Sequence, residues 1–312
     1  MDDPEHARLR KMVTGAFTLR QMERLRPGIQ HLVDRLIDEM LAGPNPADLV
    51  EAFALPVPSL VICQLLGVPY ADHEFFQKTS RTLIRRSTPA DVAQAAQDEL
   101  LGYLGRLIAD KLASPGDDLL SRLAAERLAT GEMSARELAS MGVLLLIAGH
   151  ETTANMISLG TYALLAHPEQ LAIVRASDDP RLIVRTVEEL LRYLTIVHSG
   201  RRRVALADIE IAGEVIRAGE GIIVPNDIGN RDATVFPDPG RLDVQRDARG
   251  HVAFGFGVHQ CLGQPLARVE LQVVYGTLYR RVPTLALAAE PSSIPFKHDG
   301  FVYGVYELPV TW

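Results

Sequence analysis

A chain of 312 residues, 47% of them apolar and 23% charged, has the composition of a globular protein with a sizeable core. A net charge of −7 argues against a nucleic-acid binder, and two cysteines give no disulfide framework, which points to a reducing cytoplasm. The acidic start Met1-Asp2-Asp3-Pro4-Glu5-His6 is not a signal peptide, and the most apolar run, Leu138 to Gly149, is too short to span a bilayer.

Asp3-Pro4-Glu5 reads as a helix start, a capping acid with proline in the first turn, and the helix runs to about Phe17. His6 and Arg10 share one of its faces at i,i+4. A helix from Leu19 to Met40 follows, then a short strand and a helix holding Cys63 between Leu49 and Val68. Helical patterns recur at Asp72–Arg86, Asp91–Ala113 and Asp117–Ala129. Ser134-Ala135-Arg136-Glu137 is a capping box that opens the longest helix, to about Ala166. At its middle stands Ala148-Gly149-His150-Glu151-Thr152-Thr153, where a buried acid needs a partner and Gly149 permits a kink. A zinc-protease motif would need histidine at 154, where Ala154 stands.

Arg181 to Leu194 is a further helix, with Glu189 and Arg192 at ion-pair spacing. The same spacing occurs at Glu5/Arg8, Glu23/Arg26 and Glu214/Arg217, so alone it carries little. Strands are expected at Ile209–Ala212, Val215–Arg217 and Gly221–Pro225, while Gly200-Arg201-Arg202-Arg203 reads as a solvated charge run. Residues 226 to 253 form a long irregular segment, and two β-like stretches near Leu285–Ala288 and Val302–Leu308 close the chain.

The stretch Phe254-Gly255-Phe256-Gly257-Val258-His259-Gln260-Cys261-Leu262-Gly263 delivers one cysteine, through glycines, to the start of a helix. A helix N-terminus favours thiolate over thiol, and missing Cβ atoms let a flat partner approach the backbone. An anionic sulfur in such a loop suits an axial ligand to haem iron. A dinucleotide loop is excluded because Gln260 stands where a glycine is needed, and a structural zinc site lacks thiols. A cysteine–histidine hydrolase using His259 stays open at this level.

In this order, the motifs resemble the cytochrome P450 family, and most of all its actinomycete-type bacterial members. The resemblance covers essentially the whole chain as one domain, 1–312, and implies a mainly α fold with small β-sheets (α+β). The chain begins at what looks like the family's third major helix, so the expectation is an N-terminally truncated cytochrome P450 fold. The resemblance implies Cys261 as the ligand of haem b, in a cofactor site with Phe254, Gly255, Gly263 and Ala148. His6, Arg10, Arg203 and His259 look like the haem-carboxylate partners, and Glu151 and Thr152 like the acid–alcohol pair of the distal side. Glu189 and Arg192 resemble the structural E-x-x-R, with Arg241 as their third partner. Leu144, Ile147, Ala148, Ile196, Val197, Phe301 and Val302 would line the substrate pocket.

The implied activity is a cytoplasmic monooxygenase that inserts one oxygen atom of O2 into a lipophilic organic substrate. Its electrons would come from a ferredoxin-type partner and an NAD(P)H-dependent reductase, docking near Arg8, Lys11 and Arg268. Neither nucleic acid nor membrane is expected. The alternative reading is a truncated haem-binding protein without turnover.

Overall fold

The computed structural model describes residues 1–198 and 200–312, leaving aside the side chain of Tyr70. The chain folds as a helical body flanked by three small antiparallel sheets. In chain order, α1 spans Glu5–Thr14, α2 Leu19–Ala42, α3 Pro56–Leu66, α4 His73–Ile84 and α5 Ala90–Ala113. Then come α6 at Leu119–Leu123, α7 at Ala135–Ala166, α8 at Pro168–Ala176, α9 at Pro180–Leu194, α10 at Asn226–Gly229 and α11 at Gln264–Arg281.

Local chemistry sets these boundaries. Ser134 caps α7 reciprocally with Glu137: the Glu137 N–H donates to the serine Oγ at 3.2 Å, and the Ser134 N–H donates to Glu137 Oε2 at 2.7 Å. Asp179 caps α9, and Pro180 and Pro265 sit in the first turns of α9 and α11, where no N–H is needed. Gly149, where a kink is permitted, lies within one continuous helix that runs from 135 to 166. The missing side chain serves packing: a Cβ there would meet Ile62 of α3 at 2.8 Å.

Buried α7 is the axis of the body. Helices α3 and α5 pack on one side of it, α9 and α11 on another, and α2 lies along α11. The core runs continuously from Leu9 and Val13 of α1 to Val310 near the C-terminus.

Three strands, β1 (Ala47–Asp48), β6 (Ala286–Leu287) and β7 (Pro309–Thr311), form one sheet with β7 in the middle. The expected strand at Val302–Leu308 is instead an irregular hairpin, linked by the isolated bridge Phe296–Val305, and regular pairing starts only at β7. The Gly200–Arg203 run is solvated as expected at Arg202 and Arg203, both exposed, but it is also ordered backbone. Arg201–Val204 is strand β2, paired antiparallel with β5 (Gly221–Val224), Arg203 opposite Ile222. Between them β3 (Ile209–Ile211) and β4 (Glu214–Ile216) turn at Ala212-Gly213, both at positive φ, as a two-residue hairpin requires. Among the described residues no helix is long and apolar enough to cross a membrane.

Candidate active site

Cys261 lies three residues before α11 in a loop whose turns depend on Gly255 at φ +73° and Gly257 at φ +80°. The Cys261 N–H donates to the Phe254 carbonyl at 2.9 Å, which closes the loop. Cys261 is open on one side. Burial of its sulfur pushes the thiol up, while the N–H groups of Gly263 and Gln264 and the charges of Arg201 and Arg10 pull the other way. The other cysteine, Cys63, is buried within α3, and desolvation pushes its thiol up to about 12.

The loop is braced from below by a cluster that the motif reading did not include. Arg268, one turn into α11, lies over the Phe254 ring at 4.6 Å and holds Glu188 of α9 with both forks, at 2.7 and 3.0 Å. His251 is also 3.0 Å from that carboxylate. Burial acts to raise the Glu188 carboxyl, but the hydrogen bonds from His251 and Arg268 overcome it and hold the group at about 2. Arg268, expected as a free docking cation, is therefore committed internally. Arg8 is paired with Glu5 and Glu137, both partly exposed.

Four of the predicted carboxylate binders gather beside the loop. Arg10 Nη2 donates to the Gln260 carbonyl at 2.6 Å, and the His6 and His259 rings lie 4.0 Å apart. His6 contacts Asp3 Oδ1 at 3.1 Å and His259 contacts Asp2 Oδ1 at 2.7 Å. Arg203, on β2, is exposed and adds its field at Asp2, whose carboxyl is held below its ordinary range chiefly by the His259 hydrogen bond. Within this cluster His6 and His259 each contact a carboxylate, while Arg10 holds a backbone carbonyl. Arg201 belongs with the cluster; two residues before Arg203, it shares that strand face.

On α7, Leu144, Ala148 and Thr152 recur at i, i+4 and i+8 and form an open stripe on an otherwise buried helix, with Leu144 60% exposed. Ile147 beside them is half-buried. Thr152 Oγ1 donates to the Ala148 carbonyl at 2.8 Å. Glu151 points the other way: its buried carboxylate accepts from Lys297 Nζ at 2.9 Å. Burial opposes that charge, but Lys297, His150 and Asn155 outweigh it and keep the carboxyl below its usual range. Phe301 is half exposed, Ile196 and Val302 are buried and Val197 is half-buried; the Tyr303 N–H donates to the Ile196 carbonyl at 2.8 Å, which brings the two segments together.

Glu189 and Arg192 are wholly buried and joined by two bonds of 2.7 and 2.8 Å. The side chain that completes the pair is Arg246, 3.1 Å from Glu189 Oε1. Arg241, expected in that role, contributes only its backbone carbonyl to Arg192, at 3.3 Å. Arg192 also donates to the carbonyls of Asn230 and Pro239 and so ties down the irregular segment before the cysteine loop.

The Cytochrome P450 family profile matches residues 91–284. Cytochrome P450 GfsF of Streptomyces halstedii is 59% identical over all of this chain and 75% of its own length, and its crystal structure superposes with a TM-score of 0.94 over 79% of that chain. Vitamin D3 dihydroxylase of Streptomyces griseolus is 54% identical over all of this chain and 76% of its own length. The structure of mycinamicin VIII C21 methyl hydroxylase from Micromonospora griseorubida, bound to mycinamicin VIII, matches at TM-score 0.95 and 45% identity, covering 100% of this chain and 79% of the other. The chain therefore belongs to the cytochrome P450 family of haem-dependent monooxygenases, which hold their iron through a cysteine thiolate.

Proposed function

We propose that Cys261 is the iron ligand and that the chain hydroxylates or epoxidises a lipophilic organic substrate. The residues present fit a haem. An added Cβ at Gly255, Gly257 or Gly263 would meet open space within 4 Å, so packing within the protein does not exclude a side chain there, and Gly263 has no unusual backbone angle either. Gly255 and Gly257 are required by their positive φ, and a flat group lying against the loop supplies a reason for Gly263. The open apolar surface of Leu144, Ala148, Phe256 and Val258 suits such a group, and His6, Arg10, His259 and Arg203 suit its carboxylates. The carrying observation is the Cys261 loop, with backbone donors and cations converging on an open-sided sulfur.

Bound haem would supply the oxygen-inserting chemistry: RH, O2, two electrons and two protons give ROH and water. The chain's share is to bind, orient and deliver protons. Thr152 Oγ1, on the open stripe, would pass a proton from water; Glu151, the acid beside it in sequence, faces Lys297 and would replenish it only on leaving that pair. Leu144, Ile147, Ala148, Ile196, Val197, Phe301 and Val302 offer almost no polar groups, which favours a lipophilic substrate. Electrons are taken from a ferredoxin and its NAD(P)H-dependent reductase in the cytoplasm; with Arg268 committed to buried Glu188, Lys11 and Arg8, whose acids are partly exposed, are the cations left of the three expected for docking. Named hydroxylases match this chain over its full length, which favours turnover over a haem-binding remnant.

The test is the CO-difference spectrum of the dithionite-reduced protein beside Cys261→Ala. A red-shifted thiolate Soret band, lost in the variant, is the expected result. The same band in both proteins would remove Cys261 from the iron.

A further inference from the structure

The hairpin of residues 295–306 belongs to none of the three sheets. Its two arms are joined by the isolated bridge Phe296–Val305 and by the Lys297 N–H bond to the Gly304 carbonyl and the Tyr306 N–H bond to the Pro295 carbonyl, both at 2.8 Å. Its buried polar anchor to the body is at its foot. Lys297 Nζ donates to Glu151 Oε1 at 2.9 Å and to Asn155 Oδ1 at 3.0 Å, bridging two residues one turn apart on α7. Asn155 closes the triad by donating to the Glu151 carbonyl at 2.8 Å. Gly304 on the opposite arm sits directly on Asn155, where a Cβ would fall 1.7 Å from Oδ1. All three side chains are buried or nearly so.

The other end is held less firmly. Gly300 bridges to Arg85 just beyond α4, the Arg86 N–H reaches the Asp299 carbonyl at 3.2 Å, and Arg85 pairs with Asp299 at 3.7 Å, with both side chains largely exposed. The hairpin therefore spans from the central helix to the end of α4, with a buried polar anchor at its foot, a solvated one at Arg85, and a backbone tie beside the tip, where the Tyr303 N–H donates to the Ile196 carbonyl at 2.8 Å. Its tip carries Phe301, 49% exposed, and Val302.

We propose that Lys297 is a specificity-determining positioning residue: through Glu151 and Asn155 it sets how far the Phe301–Val302 tip reaches over the substrate. This rests on the reading above that the tip borders the substrate pocket. Lys297 touches no substrate in this scheme. It acts through the angle of the hairpin, so losing it discriminates by ligand size and leaves small ligands unaffected. A lysine that merely neutralised Glu151 would have no such selectivity.

The experiment compares imidazole and the bulky azole clotrimazole as iron ligands of the haem-loaded ferric protein, followed by the Soret shift. In Lys297→Met, imidazole affinity is expected to hold within about twofold while the clotrimazole dissociation constant changes by at least about tenfold. Lys297→Arg, which keeps the charge and a donor, restores most of the ratio. Amide hydrogen exchange across residues 296–305 speeds up in Lys297→Met, while the middle of α7 stays protected. Glu151→Gln, which leaves the hairpin untouched, gives the same change of ratio from the other partner, and decides the matter if Lys297→Met does not fold. Equal effects on both azoles, or no change in either, overturns the proposal, as does unchanged exchange of 296–305. A wild-type protein that binds haem but shows no Soret response to imidazole refutes the site reading itself, and the specificity role falls with it.

Discussion

Glu189→Ala removes the carboxylate at the centre of a fully enclosed ion network. Glu189 accepts from Arg192 Nε and Nη2 at 2.7 and 2.8 Å, from Arg246 Nε at 3.1 Å and from the Asp243 N–H at 3.0 Å. Neither Glu189 nor Arg192 has any solvent access, so Arg192 would keep its charge with only backbone carbonyls around it. Breaking a buried pair from one side costs about 3–5 kcal/mol. That is a large part of the roughly 5–15 kcal/mol that stabilises a typical domain. The chain contains its own control. Glu23 and Arg26 have the same i,i+3 spacing and a comparable 2.7 Å contact, but lie at the surface, where such a pair contributes about 0.2–1 kcal/mol. Urea unfolding of Glu189→Ala and Glu23→Ala, with haem retention measured alongside, separates the two. We expect the first to lose most of its haem and its cooperative transition, and the second to be almost unchanged. Equal, small losses would show that burial of the pair contributes nothing beyond its spacing.

Thr152→Ala is expected to keep haem and the reduced CO spectrum while more of the electrons supplied leave as hydrogen peroxide; full coupling to product would take the hydroxyl out of proton delivery. Glu270, buried in α11 with no partner for Oε2, has its carboxyl raised well above the carboxylate range by desolvation alone. As pH rises past the ordinary carboxyl range, the unfolded chain ionises there before the folded one does. The native protein should therefore lose stability relative to Glu270→Gln by up to about 1.4 kcal/mol per pH unit, read from urea midpoints between mildly acid and neutral pH; a pH-independent difference would mean that the acid has a partner.

How much of this was legible follows from the range over which each feature is encoded. The capping box at Ser134 and Glu137, the span of α7 and the cysteine loop are local patterns, and they appear in the structure where the sequence puts them. Strand β2 was missed because nothing within Gly200–Arg203 announces its partner; the pairing residues, Gly221 to Val224, lie about twenty positions on. The same holds for Arg246, whose claim on Glu189 arises from how the irregular segment folds back, and for Lys297, which meets Glu151 across 146 residues. The final strand was placed too early because alternation at Val302–Leu308 satisfies a local pattern that the hairpin overrides.

The division of cations makes the same point in terms of function. Arg192, Arg268, Lys111 and Lys297 are each bound to a buried acid of the chain itself, so none of them is free for a ligand. His6 and His259, by contrast, are held by Asp3 and Asp2, whose side chains are 51% and 86% exposed. An exposed carboxylate gains little from such a pair and is readily exchanged for another carboxylate. Structural cations here face buried acids that cannot leave, while these two histidines face acids that can. That difference, visible only in three dimensions, separates residues that hold the fold from residues available to hold a haem.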